Sequence, residues 1–118
     1  MNEIYEALCA LRAPLQFDEY DLHRLVMDAL ERADIAYEHE KSLAPRCRID
    51  LICGGIGIEI KRGKPQRSLL LAQLRKYAAC AGVEGLILVA ERSVDLPATV
   101  CGKPVRVLCL NRLWGIAL

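Results

Sequence analysis

The sequence predicts an α/β domain: a central mixed sheet of four to five strands flanked by helices, in the order helix, three-stranded meander, helix, strand. Three observations predict it. Residues 18–33 carry a single apolar stripe behind a helix-capping signal. Two short apolar runs, 47–53 and 56–62, flank Gly54-Gly55, the sequence form of a β-hairpin. A second helical pattern leads into Leu86-Ile87-Leu88-Val89-Ala90, a continuous apolar run of the kind found in a parallel strand covered on both faces. The 118 residues suit one domain, 1–118, able to bury its own core.

The elements follow in order. Ile4, Ala7, Leu8 and Leu11 have helical spacing and predict a short leading helix, ended near Pro14, with 14–17 as linker. Asp18 is an N-cap, with Asp21 at the capping-box position and Glu19 in the first turn. Leu22, Leu25, Val26, Ala29, Leu30 and Ala33 then form the stripe of an amphipathic helix that should pack on one face of the sheet. Residues 35–43 read as the first strand, with Glu38 and Glu40 on one face and Tyr37, His39 and Lys41 on the other. The hairpin supplies the second and third strands. Pro65 suits a helix first turn and Gly82 a C-cap, so a long helix is expected over 65–81, buried on more than one side. Residues 84–91 should form a strand parallel to the third, through a right-handed crossover. A helical turn is expected within 95–100, a last strand over 103–110, and a closing segment over 111–118 in which Trp114 caps the core.

Composition excludes some classes. No apolar run approaches the roughly 20 residues of a membrane span. The start of the chain has no basic region leading into an apolar run, so a secretion signal is not expected. The six cysteines include no Cys-x-x-Cys pair and meet only two histidines, which rules out common zinc spacings. They read as reduced thiols, most of them buried, in a cytoplasmic protein. The net charge of +1 does not announce a polyanion binder, but its distribution is uneven. Residues 60–83 contain no Asp or Glu and carry Lys61, Arg62, Lys64, Arg67, Arg75 and Lys76. Such a stretch is either a solvated helix face or a guide for a polyanion.

The hairpin holds the chemistry. Asp50 lies in its first strand and Glu59 and Lys61 in its second, all among apolar residues. Charges in such strands are paired, metal-bound or catalytic. Glu59 and Lys61, two apart, share a face, and the hairpin brings Asp50 alongside. Asp50 followed by Glu59-Ile60-Lys61, across a Gly-Gly hairpin and behind an amphipathic helix, resembles the PD-(D/E)xK nuclease superfamily. Those restriction-endonuclease-like domains have an αβββαβ core, and the resemblance spans roughly 18–110 as topology. Gln73 and Tyr77, at i and i+4 on the following helix, are similar to the Gln-x-x-x-Tyr element of RecB-like members.

The resemblance implies a metal-dependent nuclease hydrolysing phosphodiester bonds in DNA, of the kind found in phages, mobile elements or repair systems. Asp50, Glu59 and the backbone carbonyl of Ile60 would hold Mg2+ or Mn2+, and Lys61 would orient the attacking water or stabilise developing charge. Glu19, His23, Glu38 and Glu40 are the candidates for a further ligand. Gln73 and Tyr77 would orient the site and contact nucleic acid. Arg48, Arg62, Lys64 and Arg67 are candidate phosphate contacts or exposed charges. His39, Tyr37 and Trp114 are expected to be structural. So small a domain would need a homodimer or a partner protein for sequence specificity. Two other readings of the same residues stay open. One is a catalytically silent nuclease-fold module that binds nucleic acid or protein. The other is an interaction protein in which the triad is an internal salt-bridge cluster.

Overall fold

The computed structural model describes residues 1–14 and 17–115. It is an α/β fold with an open, mixed six-stranded sheet in the order β1-β2-β3-β4-β6-β5 and four helices. Helices α1 (Asn2–Leu8) and α2 (Glu19–Arg32) cover one face. Helix α3 (Arg67–Ala78) covers the other. The short α4 (Leu110–Leu113) follows the last strand. No described helix is long and apolar enough to cross a membrane. Two residues of the expected 14–17 linker and the last three of the closing segment lie outside the described residues.

Helix α2 forms as its sequence dictates. The Asp21 N–H donates to Asp18 Oδ1 at 2.8 Å and the Asp18 N–H to Asp21 Oδ2 at 3.0 Å, a complete capping box. The stripe of Leu22, Val26, Ala29 and Leu30 is buried against the sheet. Asp34, at φ 60, turns the chain out of the helix. Helix α3 is more one-sided than the sequence predicts. Leu70, Leu71, Leu74, Tyr77 and Ala78 are buried, but Leu69 is 66% exposed.

Strands β1 (Glu38–Ala44), β2 (Cys47–Cys53) and β3 (Ile56–Lys61) make the antiparallel meander. Gly54, at φ 59, takes the left-handed turn position that glycine occupies without steric cost. Strand β4 (Gly85–Ala90) lies parallel to β3 and is buried throughout, as its apolar run requires. Strand β6 (Lys103–Cys109) is parallel to β4.

Three expectations are corrected. The sheet has six strands rather than four to five. The expected helical turn in 95–100 is absent, and Thr99–Val100 is instead a two-residue strand, β5, antiparallel to β6. Cys101 at φ 51 and Gly102 at φ 74 make the reversal that lets it pair. The alternation expected of β1 breaks at Glu40, whose φ of 52 takes it out of the paired ladder. Lys41 then reaches Glu38 at 3.2 Å, although strict alternation sets them on opposite faces.

Candidate functional site

The sheet forks at Asp50. The ladder between β2 and β3 pairs Cys53 with Ile56, Ile52 with Gly57 and Leu51 with Ile58, then stops. One further step in that register would oppose Asp50 and Glu59. Beyond it β2 stays with β1 while β3 stays with β4 through Lys61 and Ala90. Facing also slips here: Ile49 packs on the α3 side, whereas Leu51, two residues on, packs on the α2 side. Glu40, unpaired, stands opposite Asp50 in the β1 register.

Side chains replace the missing ladder bonds. The Ile60 N–H donates to Asp50 Oδ2 at 2.8 Å, and the Asp50 N–H donates to Glu59 Oε1 at 3.3 Å. Both carboxylates are therefore held at the mouth of the fork by backbone amides. The fork lies where the sheet changes from antiparallel to parallel, toward the C-terminal end of β3.

Glu59 is 2% exposed and faces α3. Tyr77 OH lies 3.1 Å from Glu59 Oε2 and 3.0 Å from the Arg48 carbonyl oxygen, and Gln73 Nε2 donates to Tyr77 OH at 2.9 Å. Lys61 Nζ sits 3.3 Å from Glu59 Oε2 and is partly exposed. Burial pushes the Glu59 carboxyl up to about 7. The Asp50 charge pushes the same way, and the Lys61 ammonium opposes both without cancelling them. Burial and then the Glu59 charge raise Tyr77 above the ordinary phenol range, so it stays a hydroxyl. A hydroxyl has one proton, so Tyr77 serves both acceptors only if Glu59 itself holds a proton. A neutral Glu59 donates to Tyr77, which donates to Arg48, and the chain of bonds closes.

Of the candidates for a further ligand, His23 is the one brought to the fork. It is 8% exposed on α2, with Nε2 3.8 Å from Asp50 Oδ2. Its Nδ1 lies 3.0 Å from His39 Nε2 on β1. Glu38 is drawn to Lys41 at the surface, and Glu19 and Glu40 are exposed. Among the candidate phosphate contacts, Arg62 lies over the Phe17 ring at 5.5 Å with its Nε 4.0 Å from Glu91, and Arg67 Nε donates to the Asp95 carbonyl at 2.7 Å. Arg48 and Lys64 have exposed side chains. Lys61 and Gln73 also line an open groove of ≈ 510 Å3 with Gln66, Leu69 and Lys76.

His39, expected to be structural, is the residue of β1 that the fold brings against His23. No group of three or more His, Cys, Asp and Glu side chains placed to hold a metal ion occurs among the described residues. Asp50 and Glu59 are a smaller, all-oxygen pair, and Mg2+ takes one or two carboxylates while keeping several waters. The pair has the donor chemistry for such an ion: two carboxylates held by backbone amides at one fork.

No protein-family model, curated protein or solved structure matches the chain.

Proposed function

We propose that this chain is a PD-(D/E)xK-type nuclease with a restriction-endonuclease-like core, hydrolysing phosphodiester bonds in DNA with Mg2+ or Mn2+. The observation that carries the proposal is the fork. Asp50 and Glu59 end the β2–β3 ladder together, and Lys61 stands 3.3 Å from Glu59 on the same strand face. The element order α2-β1-β2-β3-α3-β4 supports the assignment of the core.

Asp50 and Glu59 would hold the ion, with the Ile60 carbonyl as a backbone ligand. The ion, when bound, supplies Lewis acidity toward the phosphate and acidifies a bound water. The chain's own residues do the rest. Tyr77, itself held by Gln73, fixes Glu59 from behind, so the carboxylate would meet the ion in a set position. Lys61, partly exposed and 3.3 Å from Glu59 Oε2, would orient the attacking water and offset charge on the phosphate oxygens. The groove beside Lys61 and Gln73, bordered by Lys76, offers a path for the phosphate chain.

The +1 net charge and the internal contacts of Arg62 and Arg67 favour one second reading, a nuclease fold that binds without cutting. Incubation of plasmid, single-stranded and branched DNA with Mg2+ or Mn2+ separates the two. The nuclease cuts at least one substrate and Asp50→Ala cuts none. Equal inactivity of both proteins on all three would overturn the proposal.

A further inference from the structure

Two imidazoles meet behind Asp50. His23 Nδ1 and His39 Nε2 are 3.0 Å apart, with the rings edge-to-face at 69°. Each neutral imidazole has one N–H and one lone pair, so a single proton lies between the two nitrogens. If it belongs to His39, His23 carries its own proton on Nε2 and aims it at Asp50. If it belongs to His23, the Nε2 lone pair faces Asp50. Only the second arrangement leaves the His23 Nε2 able to bind a cation. At 3.8 Å, His23 Nε2 and Asp50 Oδ2 are too far apart for a hydrogen bond. Asp50 Oδ2 already accepts the Ile60 N–H at 2.8 Å. A cation held at the mouth of the carboxylate fork would draw the nitrogen and the oxygen together as ligands.

We infer that His39 is a positioning residue: its Nε2 accepts the His23 Nδ1 proton and so holds the His23 Nε2 lone pair toward Asp50. The topology makes the contact specific. His39 pairs with Leu51 in the β1–β2 register, and Leu51 packs on the α2 side of the sheet. His39 is therefore delivered to the face that carries His23. A ring nitrogen that binds a cation commonly has its other N–H engaged in this way, and losing the outer partner typically costs 10–100-fold in metal affinity. The role of His39 rests on the reading of the fork as a cation site.

Two measurements test it separately. Long-range proton–nitrogen NMR on the metal-free protein reads the His23 tautomer directly. The expected result is a proton on Nδ1 in the wild type, moved wholly or partly to Nε2 in His39→Leu. A His23 proton on Nε2 in the wild type, or an unchanged tautomer in His39→Leu, overturns the inference whatever the protein does with metals. Titration with Mn2+ is the second measurement. His39→Leu should bind about 10–100-fold more weakly, and His39→Gln, whose amide oxygen can accept the same proton, should recover most of the loss. Equal affinities in wild type and His39→Leu would also overturn it. No Mn2+ binding by the wild type would instead refute the cation site, leaving the tautomer result to decide the His23–His39 bond.

Discussion

Glu59 sets a pH dependence that a single substitution should remove. Its carboxyl, ordinarily near 4.5, is raised to about 7, first by burial and then by the neighbouring Asp50 charge. The folded chain therefore holds a proton between those values that the unfolded chain has released. Where the folded state binds more protons, stability falls as pH rises. The contribution is fully present below about 4.5, fades through neutrality and is gone above about 7. The gap between the two values is worth about 3 kcal/mol. Glu59→Gln keeps the shape and most of the bonds. Its amide oxygen can accept the Asp50 N–H, and its amide can donate to Tyr77, which then donates to the Arg48 carbonyl. In the presence of a chelator, the variant should match the wild type within about 1 kcal/mol at pH 4.5. At pH 8.5 it should be more stable by about 2–3 kcal/mol, roughly 10 °C in Tm for a domain of this size. Urea unfolding followed by circular dichroism at both pH values measures the difference. A variant no more stable than wild type at pH 8.5, or an equal difference at both pH values, would refute the reasoning.

Other consequences follow from the same contacts. Lys61→Met removes a cation that lowers Glu59, so the protonated carboxyl band in the infrared should persist to higher pH than in wild type; an unchanged titration contradicts the pairing. Tyr77→Phe leaves the buried Glu59 and the Arg48 carbonyl without their hydroxyl partner and should cost about 1–3 kcal/mol in chemical denaturation. Asp18→Ala opens the capping box of α2 and should cost about 1 kcal/mol, with no change in the pH dependence set by Glu59.

Much of this architecture is legible in the sequence, because local rules govern it. The capping box of Asp18 and Asp21, the Gly54-Gly55 hairpin and the apolar run of β4 each rest on neighbours a few residues apart. The Gln73–Tyr77 contact is equally local, one helical turn apart on α3. Elements that depend on distant partners are less legible. Strand β5 is only two residues long and exists because β6 offers an edge, while its own segment, with Asp95 and Pro97 just ahead of it, reads as a helical turn. The break at Glu40 comes from a backbone conformation that alternation cannot encode. Asp50, Glu59 and Lys61 stand out because charge among apolar residues is visible in one dimension. The fork that joins the two carboxylates requires β2 and β3 to part, and the contact between His23 and His39 requires β1 and α2 to meet.

The central claim is that Asp50 and Glu59 share one divalent ion. A crystal of the wild-type protein grown with Mn2+ and measured at the manganese absorption edge tests it most directly. The expected result is one anomalous peak at the mouth of the fork, within bonding distance of an oxygen of each carboxylate, with Lys61 released from Glu59. An empty fork at saturating Mn2+, with Glu59 still bonded to Tyr77 and Lys61, would contradict the account and leave the triad a salt-bridge cluster.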